Sequence, residues 1–261
     1  MRYPIHIVDA FATQQFCGNQ AAVVLLDQYL ADDVLQAIAA ENNLAETAFP
    51  VSRPDGKWDL RWFTPTVEVP LCGHATLASA DVLFTHVMPE ADTVTFTTRV
   101  SGELVVQRDG EALVMDLPAN PASPADLDLG AVLFPAPVEV RWNERFIMAV
   151  LDSADAVRGL SPDAAAIGML PRNLIVTGPG DDGYDCVSRF FAPRDGIDED
   201  PVTGGAHCVL APYWAERLGK SAIRAWQASA RGGEILCRVI GNRVELTGAC
   251  VPYLSGTIDL A

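Results

Sequence analysis

Two carboxylates and two histidines stand at turns where a proton could be moved. Glu46 lies in Asn43-Leu44-Ala45-Glu46-Thr47, Asp200 in Glu199-Asp200-Pro201-Val202-Thr203-Gly204, and His74 and His207 follow Gly73 and Gly204-Gly205. A carboxylate partly withdrawn from water has its pKa raised toward neutrality, and it can then take a proton from carbon and return it elsewhere. The plain alternative for a single Glu is a surface acid. Asp200, beside Pro201, has a second alternative as a loop or cap residue. Gly73 and Gly204-Gly205 each open a small-residue run suited to a helix, where unsatisfied N–H groups and the helix dipole hold a carboxylate or phosphate. One such glycine alone reads equally as a device for close helix packing. An imidazole at a helix start donates to a ligand or relays a proton near neutral pH, or else bonds only the backbone.

These residues fall inside a phrase that occurs twice. Arg61-Trp62-Phe63-Thr64-Pro65 is followed after seven residues by Gly73-His74-Ala75, and Arg189-Phe190-Phe191-Ala192-Pro193 after ten residues by Gly204-Gly205-Ala206. Upstream, Asn43 to Thr47 aligns with Asn173-Leu174-Ile175-Val176-Thr177, which sets Glu46 against Val176. Asp200 stands against Val69, and Cys72 against Thr203. Each half carries an acid that the other lacks. Cys72 at a helix start has the setting that lowers a thiol pKa. A two-thiol mechanism, one cysteine per face of a stereocentre, lacks its second thiol.

The elements that must position these groups are readable from periodicity and punctuation. Ile5 to Phe11 and Ala21 to Leu26 read as strands, with a Gly18-Asn19 turn between them. Ala31 to Asn43 has helical spacing at Val34, Leu35, Ile38 and Ala39, with Asp32 or Asp33 suited to cap it. Glu46 then falls on a helix-to-strand connection. Trp58 to Phe63 is a further strand, the run from His74 to Phe84 a helix packed closely on a sheet, and strands follow over 93–98, 102–108 and 112–117. In the second half strands are expected near 146–152, 173–177, 185–191, 234–240 and 242–246. Helices are expected over 163–169, with Ser161-Pro162 as its start, and over 206–218. Strands clustering after helices favour α+β over an alternating parallel sheet. Pro118, Pro121 and Pro124 mark the break, giving domains at 1–118 and 119–250.

Bulk properties exclude several classes. A chain of 261 residues, 49% hydrophobic and 20% charged, is that of a well-packed protein of one large or two ordinary domains. A formal charge of −16 repels phosphate backbones and anionic membranes, so neither nucleic acid nor membrane is an expected partner. No run approaches the length of a membrane span, and Met1-Arg2-Tyr3-Pro4 lacks the apolar core of a signal peptide, so neither a span nor a secretory leader is expected. The six cysteines show neither metal-knuckle nor redox spacing, so no metal is expected and a reducing cytoplasm is. Nucleotide-binding glycine motifs are absent.

Taken in order, Val8-Asp9-Ala10-Phe11, Phe16-Cys17-Gly18-Asn19, Asn43 to Phe49, Arg61 to Pro65, Leu71-Cys72-Gly73-His74-Ala75-Thr76 and Glu199 to Gly204 resemble the PhzF-like phenazine-biosynthesis isomerase/epimerase family, relatives by fold of diaminopimelate epimerase. The resemblance spans essentially the whole chain. It implies two pseudo-symmetric α+β domains, each a curled, mostly antiparallel sheet around a central helix, with the site between them and a C-terminal strand, about 251–261, returning to the first domain. It also implies a homodimer, no cofactor, and a small anionic metabolite as substrate. Glu46 is then the general acid/base, with Gly73, His74, Asp200, Gly204 and Gly205 binding substrate. Gln20 stands where the family usually has proline, and Gly205 where it usually has serine. Two other readings remain at this level: a racemase-like enzyme using Cys72, and a non-catalytic metabolite-binding protein.

Overall fold

A computed structural model describes residues 1–260. The chain forms two compact units, Met1–Asp116 with Thr247–Ala261, and Leu117–Leu246. Both are α+β. In chain order the first holds β1 (Arg2–Ala10), β2 (Asn19–Val24), α1 (Asp32–Asn42), β3 (Glu46–Ser52), β4 (Trp58–Phe63), β5 (Glu68–Val69), α2 (Gly73–His86), β6 (Thr93–Thr98), β7 (Glu103–Asp109) and β8 (Ala112–Pro118). There follow β9 (Ser123–Pro124), β10 (Glu139–Trp142), β11 (Phe146–Val150), α3 (Ala154–Arg158), α4 (Ala164–Gly168), β12 (Asn173–Pro179), β13 (Cys186–Ala192), a 3-10 turn at Pro193–Asp195 and β14 (Ile197–Asp200). The chain then runs through α5 (Gly204–Leu218), β15 (Ala222–Gln227), β16 (Gly233–Ile240), β17 (Arg243–Gly248) and β18 (Cys250–Asp259). The terminal strand β18 pairs antiparallel with β1. No helix among the described residues is long and apolar enough to cross a membrane.

The two units repeat one topology. In the first, β1 is antiparallel to β2, β2 parallel to β3, β3 antiparallel to β4, β4 antiparallel to the short β5 and parallel to β6, and β6 antiparallel to β7. In the second, β10, β11, β12, β13, β14, β15 and β16 follow the same sequence of pairings. Strand β11 and residues 21–24 of β2 are buried on both faces, which is why they read as unbroken apolar runs rather than alternating ones. On one face of the first sheet lies α2, whose Ala75, Leu77, Ala78, Ala80, Val82 and Leu83 are buried all round the helix, as a central helix requires. On the other, α1 packs Leu35, Ile38 and Ala39 against Phe49, Val51 and Phe63. In the second unit α5 takes the place of α2, and the short α3 and α4 cover Ile147, Leu174, Val176 and Phe191.

Several local expectations need correction. The N-cap of α1 is Ala31, with no side-chain cap; Asp32 instead reaches Arg61 at 2.8 Å, and Asp33 bonds only the adjacent Val34 N–H. The start of α4 is capped by Asp163, which accepts from Ala165 and Ala166 N–H, rather than by Ser161-Pro162. Pro212 lies inside α5 and cannot donate to the Cys208 carbonyl four residues back; that carbonyl is satisfied by Asn120 N–H at 2.9 Å, so the helix continues.

Candidate functional site

The β3 strand places Glu46. The α1 helix ends at Asn43 in the left-handed conformation, φ 50°, which turns the chain into β3 with Glu46 as its first residue. Strand alternation sends Phe49 and Val51 to the α1 side and Glu46 and Ala48 to the α2 side. Glu46 is 8% exposed and faces the first turn of α2, where His74 is 3% exposed. Glu46 Oε2 lies 3.0 Å from His74 Nε2, within ion-pair range but not aligned as a hydrogen bond. The other imidazole nitrogen, Nδ1, is 3.0 Å from the amide nitrogen of the buried Asn19 and 3.5 Å from Cys72 Sγ.

Electrostatics of this trio are set by burial and by its own members. Burial alone would lower the pKa of His74, yet Cys72 and the Glu46 carboxylate hold it well above the ordinary imidazole range. Burial, with the Glu46 charge, pushes the Cys72 thiol up to about 11 despite the neighbouring imidazole. The helix start therefore does not deliver the lowered thiol pKa that the sequence setting suggests. A neutral imidazole carrying its proton on Nε2 accepts from Asn19 at Nδ1; an imidazolium donates there, and a half-turn of the Asn19 amide serves that state. Gly73 is the first residue of α2, so its N–H is among the unsatisfied donors at that end.

In the second unit Asp200 ends β14, and Gly204 and Gly205 are the first two residues of α5. Asp200 Oδ2 accepts from the Thr203 hydroxyl. The turn between them is fixed by Gln227, fully buried on β15: its Oε1 accepts from Thr203 N–H at 2.8 Å, and its Nε2 donates to Asp200 O at 2.7 Å and to Thr203 Oγ1 at 3.2 Å. Sequence reading missed both Gln227 and Asn19, since a lone amide in a strand or turn carries no spacing signal. His207 donates through Nδ1 to Thr203 O at 2.8 Å, while burial pushes its pKa down to about 4. This is a backbone-bonding histidine, neutral across the physiological range.

Strand register refines the internal alignment. Thr47 pairs with Phe63 and Leu174 with Phe191, so Glu46 corresponds to Asn173, not to Val176. Val176 belongs to the opposite face, among the α3 and α4 contacts. The other correspondences keep their places: Trp62 pairs with Val69, and Phe190 with Asp200. Thr76 donates to Cys72 O at 2.6 Å as His207 does to Thr203 O. Arg61 grips Glu68 through two bonds of 2.7 and 2.8 Å, and Arg189 grips Glu199 at the same two distances.

Comparison with known proteins agrees with this architecture. A family model described as "Phenazine biosynthesis-like protein" matches residues 8–256. An uncharacterized isomerase of Pseudomonas aeruginosa is 49% identical, with 100% of each chain covered. A solved PhzF-family structure from Enterococcus faecalis superposes with a TM-score of 0.95 at 41% identity, again over 100% of both chains. A hydroxyproline epimerase from Agrobacterium vitis shares the fold at a TM-score of 0.60 and 12% identity, covering 98% of this chain and 92% of that one.

Proposed function

Because the chain belongs to the phenazine biosynthesis-like family and is an isomerase, we propose that it moves a proton between carbons of a small carboxylate-bearing metabolite, without a cofactor and with Glu46 as general acid/base. The observation that carries this is the placement of Glu46. It is buried, 3.0 Å from His74 Nε2, while the matching register position of the other repeat holds an amide, Asn173.

The step balances on one residue. The Glu46 carboxylate takes a proton from a carbon next to the substrate's carboxylate or carbonyl, leaving the electron pair conjugated with that group. It then returns the proton to another carbon and ends as it began. His74, beside the carboxylate, and the α2 start at Gly73 supply positive potential for the developing anion. Within the second unit, Asp200, Gly204 and Gly205 form a substrate-binding turn in which the α5 N–H groups suit a carboxylate. A Cys72-based mechanism is disfavoured, because a thiol with a pKa of about 11 is a poor source of thiolate and Thr203 occupies the matching place. The same reading makes this a homodimeric cytoplasmic enzyme.

The test is isotope exchange. Wild-type protein in deuterated water, offered a panel of small carboxylic acids, incorporates solvent deuterium into its substrate; Glu46→Gln lowers the rate by about 10²- to 10⁴-fold. Undiminished exchange in that variant rejects the role of Glu46.

A further inference from the structure

The first unit holds a cavity of about 300 Å³ that is lined by none of Glu46, Cys72, Gly73 and His74. It sits along β4 at Arg61, where one neighbouring strand gives out and another begins: β5 pairs with Trp62 and Phe63, and β6 with Trp58 to Leu60. The second unit closes the matching junction with its own chain. There Gln227, paired with Ser188, ties Asp200 O to Thr203. Register puts Thr98, paired with Leu60, in the place of Gln227, and the Thr98 hydroxyl accepts from Ser101 N–H instead. We propose that the open junction in the first unit is a binding site for a small apolar carboxylate, separate from the proton-transfer site.

Three features select that ligand class. Trp62, Val69, Pro70 and Val100 give the cavity an apolar wall, and its volume is at the lower end of the about 300–1,000 Å³ typical of ligand pockets, which suits a single ring or a short branched chain. Trp62 is 2% exposed, yet its Nε1 donor has no hydrogen-bond partner. A buried donor left unpaired costs free energy that an acceptor on a ligand recovers. Arg99 supplies the charge. Each nitrogen of Arg61 already donates, to Glu68 or to Asp32, whereas Arg99 gives Nη1 to Glu68 and holds Nη2 3.8 Å from Asp32. Glu68, gripped by both arginines, is neutralised toward a monoanion. A dianion such as a phosphate monoester would meet one guanidinium with donors to offer and apolar surface for the rest. Arg99 and Val100 form the exposed wall, at 55% and 74%, so this corner can turn outward and admit a ligand to the indole.

Benzoate is the probe, and the indole N–H signals of the ¹⁵N-labelled full chain are the readout. The chain has five tryptophans, and Trp62→Phe, which installs the residue type of its counterpart Phe190, assigns the Trp62 signal. Benzoate should move that signal downfield and saturate the shift with a Kd of about 1 mM or tighter. Arg99→Gln should weaken binding by about tenfold or more, and acetate, which lacks the apolar body, should bind at least about tenfold more weakly than benzoate. Glu46→Gln should leave the titration unchanged, which separates this site from the fate of the proton-transfer reading. A Trp62 signal that does not move or does not saturate in wild type overturns the proposal, as does equal benzoate affinity in Arg99→Gln. Equal affinity for benzylamine, a cation of the same size, overturns it too.

Discussion

Glu46 and Asn173 hold the same register position in two copies of one supersecondary unit, each the first residue of a strand that pairs parallel to its predecessor. They differ in what they face. Glu46 meets His74, whereas the Asn173 amide donates to Asp195 at 2.5 Å, and His74 itself corresponds to Gly205. At these two matched positions one copy thus holds a carboxylate and an imidazole together, and the other an amide and a glycine. A pair of bases at these two matched positions is ruled out, since the second copy offers there an amide, which neither takes up nor gives up a proton near neutral pH.

Gly205→Ser should be tolerated. A Cβ built at Gly205 meets only Phe146 Cζ at 3.9 Å, an ordinary contact. Replacing glycine in the first turn of α5 reduces the freedom of the unfolded chain, so stability should hold or rise by up to about 1 kcal/mol. The added hydroxyl places a hydrogen-bond donor beside the N–H groups that open α5 and should tighten binding of a small carboxylate, read by calorimetry. Destabilisation beyond about 1 kcal/mol would contradict the open space at this position.

Gln227→Leu should cost about 2–4 kcal/mol in urea unfolding, because Thr203 N–H and Asp200 O lose a buried partner together. Ser229→Ala, which removes a part-buried bond to Pro201 O and another accepted from Gly232 N–H, should cost about 1–2 kcal/mol. Equal effects of the two would show that Gln227 is not the organising residue of the turn.

His207 predicts a pH dependence of stability. Its folded pKa of about 4 lies below the unfolded value of 6.5, so the folded state refuses a proton that the unfolded chain accepts. Stability is therefore unaffected above about pH 6.5. It falls by up to about 1.4 kcal/mol per unit as pH drops toward 4, and this contribution levels off below that, for about 3 kcal/mol in all. His207→Gln keeps a donor for Thr203 O without titrating. The difference in unfolding free energy between wild type and variant should shrink over this window and stay constant above it; a constant difference throughout would refute the assignment.

Side-chain identity carries the part of this site that is legible in the amino-acid sequence. The duplicated Arg-x-Phe phrase, the glycine turns and the isolated Glu46 stand out there because charge, size and the missing Cβ act locally. What escaped was set at a distance. Asn19 and Gln227 act through partners far along the chain, and no spacing rule reveals them. The alignment of Glu46 with Val176 failed because matching residue types cannot detect a register offset; only the pairings Thr47 with Phe63 and Leu174 with Phe191 fix which face each residue occupies. His207 looked equivalent to His74 by its place after glycine, yet it lies two helical positions later, where it bonds the backbone as Thr76 does.

The duplicated arginines offer a comparison of burial at fixed chemistry. Arg61 and Arg189 make matching two-bond contacts to Glu68 and Glu199 and lie over Phe63 and Phe191 at 5.0 and 5.1 Å, but their side chains are 2% and 11% exposed. Lysine keeps the charge while losing the planar fork, so each Arg→Lys change should cost about 1–3 kcal/mol, with Arg61→Lys the larger. Arg61 also holds Asp32, so its replacement loosens the start of α1 as well. Ordinary surface ion pairs contribute under about 1 kcal/mol and are screened by salt. The Arg61→Lys penalty, measured by denaturant unfolding, should instead persist at about 0.5 M salt, because the lost contacts are buried and directional. A penalty that vanishes with salt would place Arg61 among the surface pairs and remove its role in seating β4 against β5 and α1.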